Sequence, residues 1–450
     1  MIYRFFIQII KGALFFFFKK IVVSGKKNLL HNGPLIVVAN HPNTFMDPFI
    51  IASLMKQQIG FLGNAGIFYN SFFARILSYF HVIPVFRKKD IKPGLKPDNN
   101  QSFSKCHEFL NKKGTILIFP EGNSYYELKL REIKTGTARI ALSYQSLKSP
   151  DTNLKILPIS LDYSDSIQFR SMVSVTISEP ILLEAYKQTY SEDEIEGVLK
   201  LTNTIRQKLE KNIPTTSNKE QEQFLLKSHK FYTTFNEPKT DLHLNPKQSL
   251  ASRAQISKSL KLLSENNFKL YADTEIKVHH FFDLLDDENL TPGFFTDIFL
   301  KKNKYTVFIN YLVKFVLVAP IYLFGLISNY IPYILPSVIF KTLKLDIEYK
   351  TPTQMLAGLF IFPLFYWLEI KLIENFVNID FWNSWLIIFI FITSGYIAMY
   401  YWTEVKRFVR VFHFYIFMKP NKKITIIKLR DDILTNIEIA KTNLNIVYKN

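Results

Sequence analysis

Three apolar runs in the last third of the chain restrict its possible folds most strongly. Val307–Leu326, Met355–Leu368 and Trp385–Trp402 contain few charged residues. A helix needs about 20 apolar residues to cross a bilayer core, so the first and last runs are long enough and the second needs its flanks. The sequence therefore predicts a transmembrane region over residues 305–403. The alternative is that the runs are core helices of a soluble domain.

Basic residues border this region on both sides, at Lys301–Lys304 and at Lys406–Arg410. Such clusters favour the cytoplasmic side of a membrane. Both ends of the region are then cytoplasmic, which requires an even number of crossings. Tyr330–Phe340 is predicted to supply a fourth, short or re-entrant pass, and residues 404–450 to form a cytoplasmic tail.

The first 20 residues are also apolar but carry Arg4 and Lys11. These two residues are seven positions apart, so on a helix they share one face and leave an apolar face opposite. This pattern predicts a membrane-interfacial anchor helix over residues 1–20. The alternative, a cleaved signal peptide, would need a small-residue cleavage site, which Phe15–Lys20 does not offer.

The formal net charge of +18 raises the question of nucleic-acid binding. The basic residues, however, lie beside hydrophobic stretches, as in Lys19–Lys20, and this placement fits an anionic lipid surface better. The sequence therefore predicts a lipid bilayer, and no nucleic acid, as a partner. A single cysteine, Cys106, excludes an intramolecular disulfide and a metal site built from several thiolates.

Residues 21–182 alternate between apolar strand-like runs and helix-like segments. The predicted buried strands are Leu35–Ala39, Ile59–Leu62, Val82–Val85, Thr115–Phe119 and Lys155–Leu161, with Met172–Ile177 as an edge strand. The predicted helices are Pro48–Met55, Ile67–Tyr79, Ser102–Leu110 and Thr137–Tyr144. This alternation predicts an α/β fold with a largely parallel sheet flanked by helices.

Residues 183–304 have a different composition, in which Lys, Glu, Asn and Gln dominate. We expect a helical extension here, interrupted by a loop-rich gap from Pro214 to Pro246.

The segment Asn40–Pro48 (NHPNTFMDP) lies where a predicted buried strand ends and a helix begins. In open parallel sheets this edge is where ligands bind. Asp47 can accept a hydrogen bond from one imidazole nitrogen of His41, which leaves the other nitrogen free as a base. Asp47 also has a structural interpretation, as the N-cap of a helix with Pro48 in its first turn.

This segment resembles the first conserved block of the glycerolipid acyltransferase superfamily, in the HPNxFxD form of fungal glycerol-3-phosphate/dihydroxyacetone-phosphate acyltransferases and similar bacterial proteins. The usual superfamily spacing has four residues between His and Asp, whereas here there are five. Val82–Arg87 is similar to the second block. The resemblance implies that Arg87 binds a phosphate through paired hydrogen bonds. Its alternative is an exposed charge beside Lys88 and Lys89.

Phe119–Ser124 (FPEGNS) resembles the third block, and Ile156–Leu161 the fourth, which borders the acyl pocket. Members of one subgroup carry His-Asp after the Ser, where this chain has Tyr125–Tyr126. The resemblance implies that Glu121, Gly122 and Ser124 bind substrate. Lys134, in a KTG sequence that continues the pattern, either contacts phosphate or the donor or is a solvated turn residue.

The resemblance implies a membrane-bound O-acyltransferase of phospholipid biosynthesis, with His41 and Asp47 as catalytic residues. The expected acceptor is glycerol 3-phosphate or dihydroxyacetone phosphate, and a lysophospholipid such as 1-acyl-glycerol 3-phosphate is the alternative. Acyl-CoA or acyl-ACP is the expected co-substrate, with no metal or redox cofactor. The expected location is a bacterial inner membrane with the catalytic domain facing the cytoplasm. Alternatives of other classes are a non-catalytic lipid-binding protein and a transporter.

Overall fold

The computed structural model describes residues 2–29, 33–64, 75, 79, 81–85, 99–147, 153–235 and 246–447. The chain forms two compact units. The first contains Met1–Thr216 together with two later segments, His243–Ala254 and Asp346–Pro352, and the second contains the remaining residues. The predicted boundaries at residues 20, 182, 304 and 403 stay predictions. Two segments distant in sequence nevertheless belong to the first unit.

The first unit is built on a mixed sheet with the strand order β1-β7-β6-β2-β5-β3-β4, and β8 pairs with β6. The strands are β1 (Lys20–Ser24), β2 (Leu35–Ala39), β3 (Ile59–Asn64), β4 (Val82–Val85), β5 (Thr115–Ile118), β6 (Lys155–Tyr163), β7 (Met172–Ile177) and β8 (Ile181–Leu182). The central strand β2 runs parallel to both β5 and β6. Only β7 and β8 pair antiparallel, both with β6. The predicted α/β fold with a largely parallel sheet is confirmed.

Helices of the first unit follow the strands in sequence. They are α1 (Ile2–Phe17), α2 (Met46–Leu54), α3 (Asn99–Asn111), α4 (Gly136–Ser146), α5 (Glu184–Glu192) and α6 (Glu194–Glu210). Every residue of β2 is buried, which explains its unbroken apolar run. Ile36 and Val38 of β2 pack in one core with Leu110 of α3, Ala141 of α4 and Leu201 of α6. The parallel strands are therefore covered by helices.

One strand prediction was wrong in its position. Met172–Ile177 forms β7 as predicted, but β1 pairs along its outer side in parallel register, so β7 is not an edge strand. The alternating burial of β7 fits this internal place. The predicted helix Ile67–Tyr79 lies almost entirely outside the described residues.

The second unit is helical. Its helices, with the helix α8 that begins in the first unit, are α7 (Lys219–Phe235), α8 (Pro246–Asn266), α9 (Phe268–Asp287), α10 (Asp297–Leu300), α11 (Lys304–Leu343), α12 (Lys350–Glu374), α13 (Phe381–Ile416) and α14 (Pro420–Val447). The expected loop-rich gap from Pro214 to Pro246 was wrong, because α7 occupies much of it. Its apolar residues Phe224, Leu225 and Phe231 are buried.

Three helices among the described residues are long and apolar enough to cross a membrane, namely α11, α12 with the turn before it, and α13. The expected fourth pass at Tyr330–Phe340 was wrong, because these residues are part of α11. This helix is 40 residues long in total and contains three prolines. Apolar membrane helices tolerate proline because neighbouring groups satisfy the freed backbone. At 1.5 Å per residue α11 is about 60 Å long, roughly twice a bilayer core. The three helices indicate membrane association.

A polar cluster joins these three helices. Asn329 of α11 donates from Nδ2 to the carbonyl oxygen of Phe391 in α13 at 3.1 Å, and its Oδ1 accepts from the hydroxyl of Tyr366 in α12 at 2.7 Å. Gly325 of α11 lies so close to α13 that an added Cβ would be 2.2 Å from the carbonyl oxygen of Ser394. Small residues at such crossings allow the backbones to approach and the polar groups to pair.

We therefore expect Gly325→Ala to lower the free energy of unfolding in detergent by about 1–3 kcal/mol, because the new methyl group collides with backbone. Gly358→Ala is the matched control, since a Cβ there meets only the Phe362 ring, at 3.8 Å. Denaturant titration of both variants gives the comparison. Equal stabilities would contradict the close crossing of α11 and α13.

Candidate active site

The site begins where β2 leaves the sheet. Asn40, directly after the strand, is buried, and its side chain pairs twice with the backbone of Leu161 in β6. Its Nδ2 donates to the carbonyl oxygen of Leu161 at 2.8 Å, and its Oδ1 accepts from the amide of Leu161 at 2.7 Å. These two bonds have the pattern of the backbone hydrogen bonds between paired strands. The next residue, His41, therefore starts from a fixed point at the carboxyl edge of the parallel strands.

The structure brings the two predicted catalytic residues together. His41 Nδ1 lies 2.8 Å from Asp47 Oδ2. The N-cap interpretation of Asp47 was wrong: α2 begins at Met46, and its N-cap position is Phe45, which makes no side-chain cap bond. The Asp47 side chain turns back over the loop instead of capping the helix, which is the bend that a spacing of six requires.

Asp47 is fully buried and its carboxylate has three hydrogen-bond donors. Besides the His41 ring, the backbone amide of Asn43 donates to Oδ2 at 2.8 Å and the hydroxyl of Tyr163 to Oδ1 at 2.5 Å. Burial raises the pKa of Asp47 from its ordinary value, while the bonds from these three residues act in the opposite direction. The donors thus offset part of the cost of burying this charge.

Tyr163 ends strand β6 and is buried as well. Burial and the charge of Asp47 raise the pKa of Tyr163 well above its ordinary value. The phenol therefore keeps its proton and acts as a donor to the carboxylate. An ionised Asp47 carboxylate only accepts, so the contact favours the neutral tautomer of His41 that carries its proton on Nδ1 and a lone pair on Nε2.

The imidazole ring of His41 is fixed on one face. The ring of Phe119, at the end of β5, stacks on it with centroids 3.8 Å apart and an angle of 11°. The His41 side chain keeps 16% of its surface exposed. No residue in the described part of the chain hydrogen-bonds its Nε2. This nitrogen is therefore available to a substrate.

Glu121 links the first and third motifs through its carboxylate. Its Oε1 accepts the backbone amide of His41 at 2.9 Å, and its Oε2 accepts that of Arg131 at 3.1 Å. Burial raises the pKa of Glu121, and the two amide bonds counteract this in part. The structure places Glu121 beside the backbone of the base, while its predicted contact with substrate stays a prediction.

Gly122 has a positive φ of 75°, a conformation that glycine adopts without strain. An added Cβ there would lie 2.6 Å from the ammonium nitrogen of Lys134. The absence of a side chain thus brings the Lys134 cation against the loop that follows Glu121. Ser124 is half-buried in the same loop. Arg87 lies outside the described residues.

The loop also contains Tyr125, which replaces the His of the subgroup pattern. The guanidinium carbon of Arg131 lies 3.7 Å from the centre of the Tyr125 ring, a cation–π contact. The amide of Tyr125 donates to the carbonyl oxygen of His41 at 3.2 Å. This residue therefore packs against the same loop as the predicted base.

The cysteine Cys106 is not part of the His41–Asp47 site. Cys106 is buried in α3, and burial raises its pKa to about 12. The thiol is therefore neutral at physiological pH, and its neighbour His107 points its Nε2 to the carbonyl oxygen of Ile140 in α4, at 3.2 Å. The two side chains do not form a Cys/His nucleophile.

Sequence reasoning missed four residues that shape the site: Asn40, Asn43, Phe119 and Tyr163. Three of them lie inside the recognised motifs, so the sequence could have predicted that they lie near His41 and Asp47. Tyr163 lies two residues beyond the predicted end of a buried strand, 116 positions from Asp47. A polar aromatic residue at the carboxyl end of a strand next to β2 was the only available signal.

Comparisons with known proteins find acyltransferases. A model of the acyltransferase family matches residues 20–162. Glycerol-3-phosphate O-acyltransferase 2 of Saccharomyces cerevisiae is 33% identical over 115 residues, which are 25% of this chain and 15% of that protein. The chloroplastic 1-acyl-sn-glycerol-3-phosphate acyltransferase LPAT1 of Arabidopsis thaliana is 29% identical over 168 residues, 36% of this chain and 44% of that protein.

Residues 20–162 therefore match the acyltransferase family, and the similar proteins are named as glycerol-3-phosphate and 1-acyl-sn-glycerol-3-phosphate acyltransferases. The matched residues contain strands β1 to β5, nearly all of β6 and the His41–Asp47 pair. The chain spans only a minor part of the length of these two relatives. A solved structure, that of the 1-acyl-sn-glycerophosphate acyltransferase from Thermotoga maritima, covers 45% of this chain and 77% of its own at 20% identity, with a TM-score of 0.31.

The contribution of the hydrogen bond from Tyr163 to Asp47 to the free energy of unfolding should depend on pH. At neutral pH we expect Tyr163→Phe to lower the free energy of unfolding in detergent by about 1.5–3 kcal/mol, the usual value for a bond to a charged group. The raised pKa of Asp47 means that the native state holds its proton to a higher pH than the unfolded chain. Below that folded pKa the carboxyl is neutral, so the loss caused by Tyr163→Phe should shrink as the pH falls.

Tyr144→Phe is the matched control, because Tyr144 is a buried tyrosine of the same domain whose hydroxyl does not contact a carboxylate. Urea titrations of both variants across the acidic range give the pH dependence. A loss for Tyr163→Phe that is the same at every pH would contradict a bond to the charged form of Asp47.

Proposed function

We propose that the protein is a membrane-bound O-acyltransferase of phospholipid biosynthesis. In this proposal it transfers a fatty acyl group from acyl-CoA or acyl-ACP to glycerol 3-phosphate or dihydroxyacetone phosphate. The observation that carries the proposal is the 2.8 Å contact of His41 Nδ1 with Asp47, which leaves Nε2 without a partner in the described chain. It lies in a domain of the superfamily whose named relatives are acyltransferases.

The proposed reaction is direct transfer within one complex. Nε2 of His41 removes the proton of the acceptor hydroxyl while its oxygen attacks the thioester carbonyl. The carbon–sulfur bond then breaks, and the leaving thiolate takes the proton back from the imidazolium. Asp47 holds the ring in the required tautomer and stabilises the imidazolium. No metal or redox cofactor takes part.

The acceptor is held by its phosphate. We assign this contact to Arg87, whose planar guanidinium can pair with two phosphate oxygens, and to Lys134 beside Gly122. Glu121 uses one lone pair of each oxygen for backbone amides, and a carboxylate has about four such sites. A remaining site accepts a hydroxyl of the acceptor, and Ser124 lines the same loop.

The membrane helices fit this chemistry because the product is a lipid. We propose that the catalytic domain lies on the cytoplasmic side, the side favoured by Lys341, Lys344 and Lys350 beside the turn between α11 and α12. We propose a bacterial inner membrane from the resemblance to bacterial proteins with the same five-residue spacing between His41 and Asp47, a spacing that fungal acyltransferases share. The two relatives named above come from a yeast and a plant.

A second acceptor class has a specific observation in its favour. The similar Arabidopsis protein is named a 1-acyl-sn-glycerol-3-phosphate acyltransferase, so its printed acceptor already carries one acyl chain. The same base and phosphate contacts would serve a lysophosphatidate. Purified protein assayed with each acceptor and with both donors separates the two. Transfer to glycerol 3-phosphate or dihydroxyacetone phosphate supports the first proposal, and transfer to lysophosphatidate alone supports the second.

In the acceptor assay we expect His41→Ala to lower kcat by about 10²- to 10⁴-fold, the usual value of positioned general-base catalysis. The variant should remain folded, because the ring is partly exposed and lies at the edge of the sheet. His280→Ala, an exposed histidine of the second unit, should retain the activity of the parent. Equal kcat in purified His41→Ala and parent would refute the role of this residue.

For Arg87 we expect the change to appear in binding. Arg87→Ala should raise KM for a phosphorylated acceptor roughly 10- to 150-fold, since a hydrogen-bonded charged contact contributes about 1.5–3 kcal/mol. Arg87→Lys should recover only part of the loss, because Lys cannot form the paired contact. Lys89→Ala controls for the loss of a nearby positive charge. A rise in KM for the thioester donor, with the acceptor unaffected, would contradict the assignment.

A further inference from the structure

A segment from between two candidate membrane helices belongs to the unit that contains the sheet. Residues Asp346–Pro352, called the connector here, follow α11 and include the first residues of α12. They group with the catalytic domain, whereas the helices before and after them group with the second unit. No sequence motif marks the connector.

The closest contact of the connector is with Asn43, in the loop between His41 and Asp47. Asn43 Nδ2 donates to Thr351 Oγ1 at 2.7 Å and to the carbonyl oxygen of Ser166 at 2.5 Å. The hydroxyl of Thr351 donates to the same carbonyl oxygen at 3.0 Å. Asn43 and Thr351 are each only 1% exposed. The three groups form a closed, buried triangle that fixes the Asn43 side chain.

The connector also contacts the neighbouring residues of the first motif. The hydroxyl of Thr44 donates to the carbonyl oxygen of Glu348 at 3.0 Å. The rings of Phe45 and Tyr349 meet edge to face, with centroids 6.1 Å apart. Three consecutive residues of the catalytic loop, 43 to 45, therefore each have a partner in the connector.

The loop that follows the third motif also has a partner in the connector. The backbone amide of Tyr126 donates to Oε1 of Glu348 at 3.2 Å. Glu348 thus contacts both loops that hold the proposed site, through its carbonyl oxygen and through its carboxylate.

Asn43, which Thr351 contacts, is linked to His41 through Asp47. The backbone amide of Asn43 donates to Asp47 Oδ2, the same oxygen that His41 Nδ1 contacts, and both distances are 2.8 Å. A side chain held by Thr351 fixes the direction of that amide. If the side chain is released, Asp47 loses a well-aligned donor, and His41 loses a fixed partner.

We infer that Thr351 is a positioning residue for the His41–Asp47 pair, and that the connector completes the active site from within the membrane region of the sequence. The inference rests on the proposed function for its catalytic consequence. Thr351 acts through Asn43 on the base, and the proposed phosphate contacts of the acceptor are made by Arg87 and Lys134. Its loss should therefore lower kcat and leave KM for the acceptor close to that of the parent.

The test compares three substitutions in the full-length protein in detergent. Thr351→Val removes the hydroxyl and keeps the shape, Thr351→Ser keeps the hydroxyl, and Thr353→Val makes the same change two residues further on. We expect Thr351→Val to lower kcat about 5- to 10-fold, the value of one hydrogen bond of average strength. Thr351→Ser and Thr353→Val should stay within about twofold of the parent. An equal loss in Thr351→Ser, or a rise in acceptor KM without loss of kcat, would overturn the inference.

Hydrogen–deuterium exchange tests the same contact without any substrate. In Thr351→Val the peptide spanning residues 40–47 should exchange about fivefold faster at the Asn43 amide, and in Thr351→Ser and Thr353→Val it should match the parent. Unchanged protection in Thr351→Val would overturn the inference whatever the activity.

An inactive parent that shows this exchange pattern would overturn the proposed function while supporting the positioning of Asn43. If Thr351→Val does not fold, Thr351→Ala replaces it in both measurements, with the same expected and contradicting results.

Discussion

The buried carboxylate of Asp47 is the group on which the rest of the site depends. A charge removed from water is costly unless hydrogen bonds replace its hydration. Here the imidazole of His41, the amide of Asn43 and the hydroxyl of Tyr163 supply those bonds. Each donor comes from a segment with its own anchorage: Asn40 fixes the loop start to β6, Tyr163 ends β6, and the connector holds Asn43. The position of the His41 ring follows from the hydrogen bonds that satisfy this one charge.

The parallel topology of the sheet explains why the motifs meet at one edge. Parallel strands bring their carboxyl ends to one edge, so β2, β5 and β6 deliver His41, Phe119 and Tyr163 side by side. Glu121 then ties the loop after β5 to the backbone of His41. The ring of His41 is thereby fixed on its Nδ1 side and on one face. Among the described residues, none hydrogen-bonds the Nε2 of His41, which is the atom that the proposed function uses as the base.

Short-range patterns were sufficient for most strands of the sheet and for singling out His41 and Asp47, which the structure places 2.8 Å apart. Strands such as Leu35–Ala39 were predictable because a fully buried strand is an unbroken apolar run, and the motif marked His41 and Asp47. The errors arose where contacts between residues distant in sequence determine the structure. The edge position expected for β7 failed because β1, from the other end of the domain, pairs with it. The contact of Asn43 with Thr351 joins residues 308 positions apart. The fourth membrane pass failed because it was predicted from the charges at the two ends of the region, whereas Tyr330–Phe340 continue one long apolar helix.

The central claim is that Asp47 holds the proton of neutral His41 on Nδ1 and leaves Nε2 as the base. The ¹⁵N chemical shifts of the imidazole, measured on histidine-labelled full-length protein with His41→Ala to identify the signal, test this directly. The account predicts a neutral ring that is protonated at Nδ1 and unprotonated at Nε2. A neutral ring with its proton on Nε2 would contradict it.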